Sequence, residues 1–331
     1  MKFSIIIPVR KINDFLVENI SHLRRLDYKD FEVIIVLDKK EKFNFGGDKR
    51  FKIIASGKRS PGEKRNIGVK ESSGNVVVFL DDDAYPSKRW LREAEKIFNR
   101  KGIYALGAPA VTPKNATFLE KMGGRVLESM LVSGNTVFRH VPQGARKIDD
   151  YPSVNLFVKK EVFNKVGGFT KEFWPGEDTK LCLDMVEEMN RKFDYDPRPV
   201  VFHHRRELFL PHLKQVSRYG KHRGQFARIF PETSRRFSYF VPSVFVFGLL
   251  FGWAVSVKVY ICVVITYLVL VFVEAFRAFF KERKIISLGS AFLGIISTHL
   301  VYGINFIIGF MKKPELKLRR IDKVTGNYIE G

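Results

Sequence analysis

Three carboxylates stand in a row at Asp81-Asp82-Asp83, directly after the apolar run Val76-Val-Val-Phe-Leu80. The five apolar residues read as a fully buried strand. In open α/β sheets, ligands bind at the carboxyl ends of the strands. Asp81 and Asp83 are two apart, so extended backbone would project them to the same side. Two carboxylates converging on one point repel each other unless a cation lies between them. Hard oxygen donors of this kind suit Mg²⁺ or Mn²⁺ carrying substrate phosphates. Alone, such a triplet is more often an acidic turn, so its meaning depends on what surrounds it.

A second carboxylate pair, Glu177-Asp178, follows the Gly-rich Val166-Gly-Gly-Phe169 and Trp174-Pro-Gly176 and opens a helical pattern. Acids in a first turn complement the helix dipole. In a domain that also holds a metal and phosphate site, a general base becomes the stronger reading. The elements that must position these groups are legible. Ser4-Ile-Ile-Ile-Pro-Val9, Phe31 to Asp38 and Phe51 to Ala55 read as buried strands, the first closed by Pro8. Phe15, Ile20, Leu23 and Leu26 recur near helical spacing between the first two strands. Gly62 to Gly68 opens another helix, on which Lys64 and Arg65 can face phosphates. Strands alternating with helices give parallel βαβ units and an α/β fold.

These motifs, in this order over roughly residues 3 to 230, resemble the family 2 glycosyltransferases, whose fold is GT-A. The resemblance implies a Rossmann-like mixed sheet that binds a nucleotide-diphosphate sugar. It places Pro8, Asp38, Lys64, Arg65, Asn66, Asp81 and Asp82 at the donor. The family's usual aspartate pair after the second strand reads Leu37-Asp38 here, so only Asp38 carries over as a contact to the base. The resemblance makes Asp83 the metal ligand, with Asp81 helping at the ribose or metal. It makes Asp178 the catalytic base, beside Glu177. His203, at the end of Pro199-Val-Val-Phe202, could reach the metal or diphosphate. Gln215-x-x-Arg218-Tyr219 resembles the Q-x-x-R-W motif of processive membrane synthases in the family. With Trp174, these residues are expected at the acceptor or diphosphate. Tyr in place of Trp, with few spans, points to non-processive transfer.

After Arg236 the composition changes. Residues 239–257, 259–276 and 285–310 are apolar, with aromatic ends and Lys/Arg flanks. A bilayer span needs about 20 apolar residues, so these predict a multi-pass cell-membrane protein with a cytoplasmic catalytic domain. The expected division is a catalytic domain at 1–203, a basic amphipathic interfacial region at 204–238, a transmembrane region at 239–311 and a basic tail at 312–331. Basic clusters at Arg235-Arg236 and at 281–284 fit a hairpin about Lys258. If the third segment spans once, Lys312-Lys313 fall on the far side, against the positive-inside tendency. Alternatively that segment, which contains His299, Gly303 and Asn305, is kinked, re-entrant or interfacial.

The net charge of +22 raises nucleic acid as a partner, but no helix-turn-helix, zinc-finger or RNA-binding signature is present. The positive charge instead concentrates between His203 and Arg236, interleaved with apolar residues, as on amphipathic helices over anionic lipid. The two cysteines, Cys182 and Cys262, stand in unrelated contexts, which excludes a disulfide framework and fits a reducing compartment. No signal peptide is expected before the first strand. The Gly-containing segment from Thr112 to Tyr151 reads as a long loop that could form an acceptor site or lid.

The expected function is inverting transfer of a sugar from a nucleotide-diphosphate donor to a hydroxyl of a lipid-linked sugar or polysaccharide precursor. Its rivals are a polyprenyl-phosphate sugar synthase and a non-enzymatic basic protein bound at the membrane surface.

Overall fold

The computed structural model describes residues 1–312 and two short strands, Arg319–Ile321 and Tyr328–Glu330, which pair antiparallel. Apart from Lys312 and these strands, the expected tail at 312–331 lies outside the described residues.

The first half builds parallel βαβ units from β1 (Phe3–Pro8), α1 (Asp14–Arg24), β2 (Phe31–Leu37), β3 (Phe51–Ala55), α2 (Pro61–Lys70) and β4 (Val76–Leu80). Every residue of β1 and β4 is buried, as continuous apolar runs covered on both faces must be. The chain continues through β5 (Ala84–Pro86), α3 (Trp90–Phe98), β6 (Ala105–Gly107), β7 (Ala110–Val111), α4 (Phe118–Leu127) and α5 (Met130–Ser133). After a 3₁₀ turn at Gly134–Arg139 come β8 (Arg146–Ile148), β9 (Asn155–Lys159), α6 (Lys160–Lys165), α7 (Glu177–Met189), β10 (Phe193–Tyr195) and β11 (Val201–His203). The main sheet has the order β3-β2-β1-β4-β9-β6-β10-β8, and β9 runs antiparallel to both β4 and β6. Strand order steps from β1 outward to β3, then returns to β4 on the other side of β1. That reversal opens a crevice at the carboxyl ends of β1 and β4, where Asp81 follows.

Local signals set the helices that frame this crevice. Asn13 caps α1, accepting from the Leu16 N–H. The apolar face of α1 is Leu16, Ile20 and Leu23, whereas Phe15, expected in that face, is 39% exposed and rests on His204. Ser60 and Glu63 form a capping box at α2. Gly68 lets α2 lie close on the sheet, since a Cβ there would meet Ile6 Cγ2 at 2.5 Å.

The segment from Thr112 to Tyr151 is not the loop expected from its glycines: it holds α4, α5, the 3₁₀ turn and β8. Met122 and Val126 of α4 bury against Leu208, Val271 and Ile295. Apolar residues there serve packing against the carboxyl-terminal helices, which a turn-based reading does not detect.

Those helices are α8 (Leu210–Ile229), α9 (Pro231–Ser234), α10 (Phe237–Val255), α11 (Val257–Glu282) and α12 (Ile285–Met311). Among the described residues, α10, α11 and α12 are long and apolar enough to cross a membrane. α8 and its C-cap Phe230 dock Phe226, Ile229 and Phe230 on Phe173 and Leu183.

Candidate active site

The backbone turns immediately after β4: the Ala84 N–H donates to Asp81 O at 3.2 Å. The same-side argument from an extended strand therefore does not apply, but the turn brings Asp81 and Asp83 together by another route. With His203 from the end of β11, their ligand atoms lie within 4.8 Å of one another. β11 delivers His203 by pairing antiparallel with β5, opposite Ala84. Asp83 is 8% exposed. Burial alone would raise its carboxyl, but His203 at 3.2 Å and Arg206 at 3.2 Å overcome that and hold it below the usual range. Asp82 turns away and accepts from Asn13 Nδ2 at 2.7 Å. Burial and the neighbouring aspartates push its carboxyl up to about 6, against the Asn13 hydrogen bond.

Two carboxylates and an imidazole at this spacing fit a hard divalent cation. The imidazole carries a condition. Arg205 Nη1 lies 3.1 Å from His203 Nδ1, and a guanidinium can only donate. Nδ1 is therefore the acceptor, and Nε2 carries the proton facing Asp83 Oδ1. As arranged, His203 orients Asp83, and it becomes a ligand only if Arg205 withdraws. Arg205 is itself buried and also bonds the Ala110 carbonyl and approaches His140 Nδ1 at 3.3 Å. Arg206 is 53% exposed at its side chain, so it can leave Asp83 for an incoming ion without unpacking the fold.

The cations of α2 are not on the surface. Lys64 is 2% exposed, pairs with Asp38 at 2.5 Å and donates to the Val9 carbonyl at 2.6 Å. Pro8, one residue earlier, closes β1 in the same crevice. Arg65 is buried between Asp81 Oδ1 at 2.6 Å and Glu177 Oε1 at 3.3 Å. Lys64 and Arg65 thus bind carboxylates of the crevice. The Asn66 amide bonds the Phe169 N–H at 2.9 Å and carbonyl at 2.7 Å. It clamps the Gly-rich turn that leads to α7.

Glu177 and Asp178 open α7. Burial and the Asp178 charge raise the Glu177 carboxyl, against the opposing charge of Arg65. Burial and the Asp150 charge raise Asp178, against the Thr179 N–H and the charges of Arg65 and Arg223. A carboxylate raised in this way holds a proton more readily, as a general base requires. Behind it, Asp150 is buried between Arg139 and Arg223, each at 3.2 Å. Sequence reading missed this cluster. Asp150 lies in the supposed loop and Arg223 in a run of similar basic residues, and nothing local distinguishes either.

Trp174 is 54% exposed beside Gly176, while its neighbour Phe173 is buried on Phe226 and Phe230. On α8, Gln215 donates to the Tyr219 hydroxyl at 3.0 Å. Tyr219 is 52% exposed. Its surroundings push the phenol up, with the Asp178 and Asp81 carboxylates adding to the effect. Arg218 is exposed and makes no ion pair among the described residues.

Residues 4–167 match the family model described as glycosyl transferase family 2. Curated relatives include the poly(ribitol-phosphate) beta-N-acetylglucosaminyltransferase TarS of Staphylococcus aureus, 24% identical over 194 residues, covering 50% of this chain and 33% of TarS. Glycosyltransferase AglE of Haloferax volcanii is 29% identical over 160 residues, covering 47% of this chain and 48% of AglE. The chain thus spans a third to a half of the length of these relatives. Among solved structures, the mannosyltransferase PcManGT from Pyrobaculum calidifontis, in complex with GDP-Man and Mn²⁺, aligns with a TM-score of 0.62 at 14% identity, over 94% of this chain and 87% of PcManGT. Residues 1-349 of S. aureus TarS with UDP-GlcNAc align at 0.51 and 15% identity, over 100% and 99% of the two chains. At these identities the likeness concerns the fold, which is GT-A.

Proposed function

We infer, from the premise that this chain is a family 2 glycosyltransferase, that it is a membrane-bound inverting enzyme acting on a lipid-linked acceptor. The donor is a nucleotide-diphosphate sugar, and the acceptor nucleophile is a hydroxyl of a lipid-linked sugar or polysaccharide precursor. The observation that carries this reading is the linkage of the Asp81–Asp83–His203 cluster to the Glu177-Asp178 helix start through Arg65. One end of the crevice suits a diphosphate neutralised by a cation, and the other presents a carboxylate of raised proton affinity.

In the reaction, an Asp178 carboxylate oxygen accepts the proton of the acceptor hydroxyl as that oxygen attacks the anomeric carbon. Attack from the face opposite the leaving diphosphate inverts the configuration in one displacement. Held by Asp81 and Asp83, Mg²⁺ or Mn²⁺ would neutralise the charge developing on the leaving diphosphate. Arg65 keeps Asp81 and Glu177 in fixed relation. Asp38 and Pro8 line the base end of the crevice, and Trp174, Gln215, Arg218 and Tyr219 border the acceptor side. Arg206 and Arg218 also favour a second reading, a bare polyprenyl phosphate as acceptor, because both are exposed cations near the site.

The apolar helices anchor the enzyme with its catalytic domain on the cytoplasmic side, where the basic clusters belong. The test is to offer a panel of nucleotide sugars to membranes containing the protein and extract the lipid product. Labelled lipid formed from one donor and lost on chelation supports the reading. Label appearing only in water-soluble product would overturn the lipid-linked acceptor.

A further inference from the structure

We propose that α12 does not cross the bilayer: it lies along the interface with both ends on the catalytic side, and the α10–α11 hairpin alone enters the hydrocarbon. The inference rests on the membrane reading above, and it concerns which surface meets the lipid.

The geometry begins with α8 and α12, which run parallel and side by side for their shared length. A Cβ on Gly294 would meet Leu208 at 3.0 Å, and His212 bonds Thr298 Oγ1 at 3.0 Å. Ser217 donates to Asn305 at 2.9 Å, and Gly224 abuts the Phe306 carbonyl. Finally Arg228 donates to the Phe310 carbonyl at 3.0 Å, capping the end of α12. Partners advance in step along both helices, so α12 follows α8 throughout. The course of α8 is fixed by the catalytic domain. Leu208, just before α8, packs on Met122 and Val126 of α4, and the far end of α8 buries Phe226 and Phe230 on Phe173. In between, Arg223 reaches Asp150. A helix flat on the catalytic domain at both ends holds its parallel neighbour flat as well.

Charge agrees with packing. α8 carries Lys214, Arg218, Lys221, Arg223 and Arg228 along the stretch it shares with α12, from about Thr298 to Phe310. A crossing α12 would draw these into hydrocarbon, where charged side chains are strongly disfavoured. α12 is two-faced in the required sense, with Thr298 and Asn305 toward α8 while Ile286, Leu293, Ile304 and Ile308 are exposed. The end of α11 that leads into α12 is tied to α4 by Arg125 with Glu282 at 2.7 Å and to its C-cap by Lys281 with Glu128 at 2.8 Å.

The α10–α11 pair behaves differently. Phe245 and Tyr267 meet at 4.1 Å between centroids, and Tyr267 bonds His299 at the middle of α12. Beyond that level the two helices leave α12, exposing Phe251, Trp253, Val255, Val257 and Val259 around the single-residue link at Ser256. Ten residues of helix project about 15 Å. With α12 flat, the basic groups at Arg235-Arg236, Lys281 to Lys284 and Lys312 all fall on one side, and the conflict with the positive-inside tendency disappears.

The test uses full-length protein in sealed inside-out membrane vesicles, with Cys262→Ser as background and the buried Cys182 retained. Single cysteines replace the exposed Lys284 and Lys312 at the two ends of α12 and, as a reference, the exposed Lys101 in the catalytic domain. A membrane-impermeant maleimide is added before and after permeabilisation, normalised to labelling in denaturant. Size-exclusion profiles in detergent check each variant's fold. The proposal expects Lys284→Cys and Lys312→Cys to label on the same side as Lys101→Cys. Labelling of Lys284→Cys and Lys312→Cys from opposite sides would overturn it. Failure of the protein to pellet with vesicles after alkaline carbonate would instead overturn the membrane reading beneath it.

Discussion

Asp81 and Glu177 share one guanidinium: Arg65 reaches the first at 2.6 Å and the second at 3.3 Å, with only 4% of its own side chain exposed. One residue of α2 thereby joins the turn after β4 to the start of α7, and so holds Asp81 and Glu177 in register. Removing one partner from a buried ion pair leaves charge uncompensated, typically at about 3–5 kcal/mol. Arg65→Met should lower the melting temperature in detergent markedly. Arg65→Lys, which offers a single ammonium in place of a planar fork, should fall between it and the wild type. A melting temperature for Arg65→Met equal to the wild type would contradict the bridging role.

Asp83 is expected to be indispensable for cation-dependent turnover. Chelation should abolish wild-type transfer, and added Mn²⁺ or Mg²⁺ should restore it. Asp83→Asn should lower transfer by at least about 10²-fold, with no rescue by either ion and an unchanged circular dichroism spectrum. Full activity of Asp83→Asn in excess chelator would remove the cation from the account.

The catalytic half was largely legible because buried parallel strands write themselves as unbroken apolar runs, and β1, β2, β3 and β4 begin and end within a residue or two of those runs. The carboxylates were legible for the same reason, since strand ends mark the crevice. What failed depended on contacts distant in sequence. Asp81 and Asp83 converge through a turn, not through strand alternation. The pairing of Lys64 and Arg65 with Asp38, Asp81 and Glu177 joins residues that no local pattern connects. The apolar residues of α4 make sense only once α11 and α12 lie against them.

The raised carboxyl of Asp178 gives a signed pH dependence. Burial and the Asp150 charge favour its protonated form, so the basic form appears only above the ordinary aspartate value of about 3.9. With Asp178 as the proposed base, turnover requires that basic form. Hence kcat should rise with pH through the raised value and fall as pH drops below it. A profile of log kcat against pH should show an acid limb displaced upward, absent in Asp178→Asn. A limb at or below the ordinary value would count against Asp178 as the base.

The α8–α12 crossing depends on missing side chains. A Cβ on Gly224 would run into the Phe306 carbonyl, and one on Gly309 into the Lys221 carbonyl, both backbone atoms that cannot swing aside. Gly224→Ala or Gly309→Ala should destabilise the protein by about 1–3 kcal/mol, read as a lower melting temperature in detergent. Gly289→Ala, with nothing within 4 Å of the added carbon, should be neutral or stabilising. Equal behaviour of the three variants would mean that α8 and α12 do not pack this closely.

A single assay tests whether Asp178 activates a hydroxyl acceptor. Polyprenyl phosphate and a polyprenyl-diphosphate sugar are offered side by side to the wild type and to Asp178→Asn, with labelled donor, and the labelled lipids are distinguished by their sensitivity to mild acid. A phosphate acceptor is already ionised near neutral pH and needs no base, whereas a sugar hydroxyl must lose its proton to attack. Transfer should go to the diphosphate-linked sugar, with kcat reduced by at least about 10²-fold in Asp178→Asn and donor KM nearly unchanged. Efficient transfer to the bare phosphate, undiminished in Asp178→Asn, would contradict that role of Asp178.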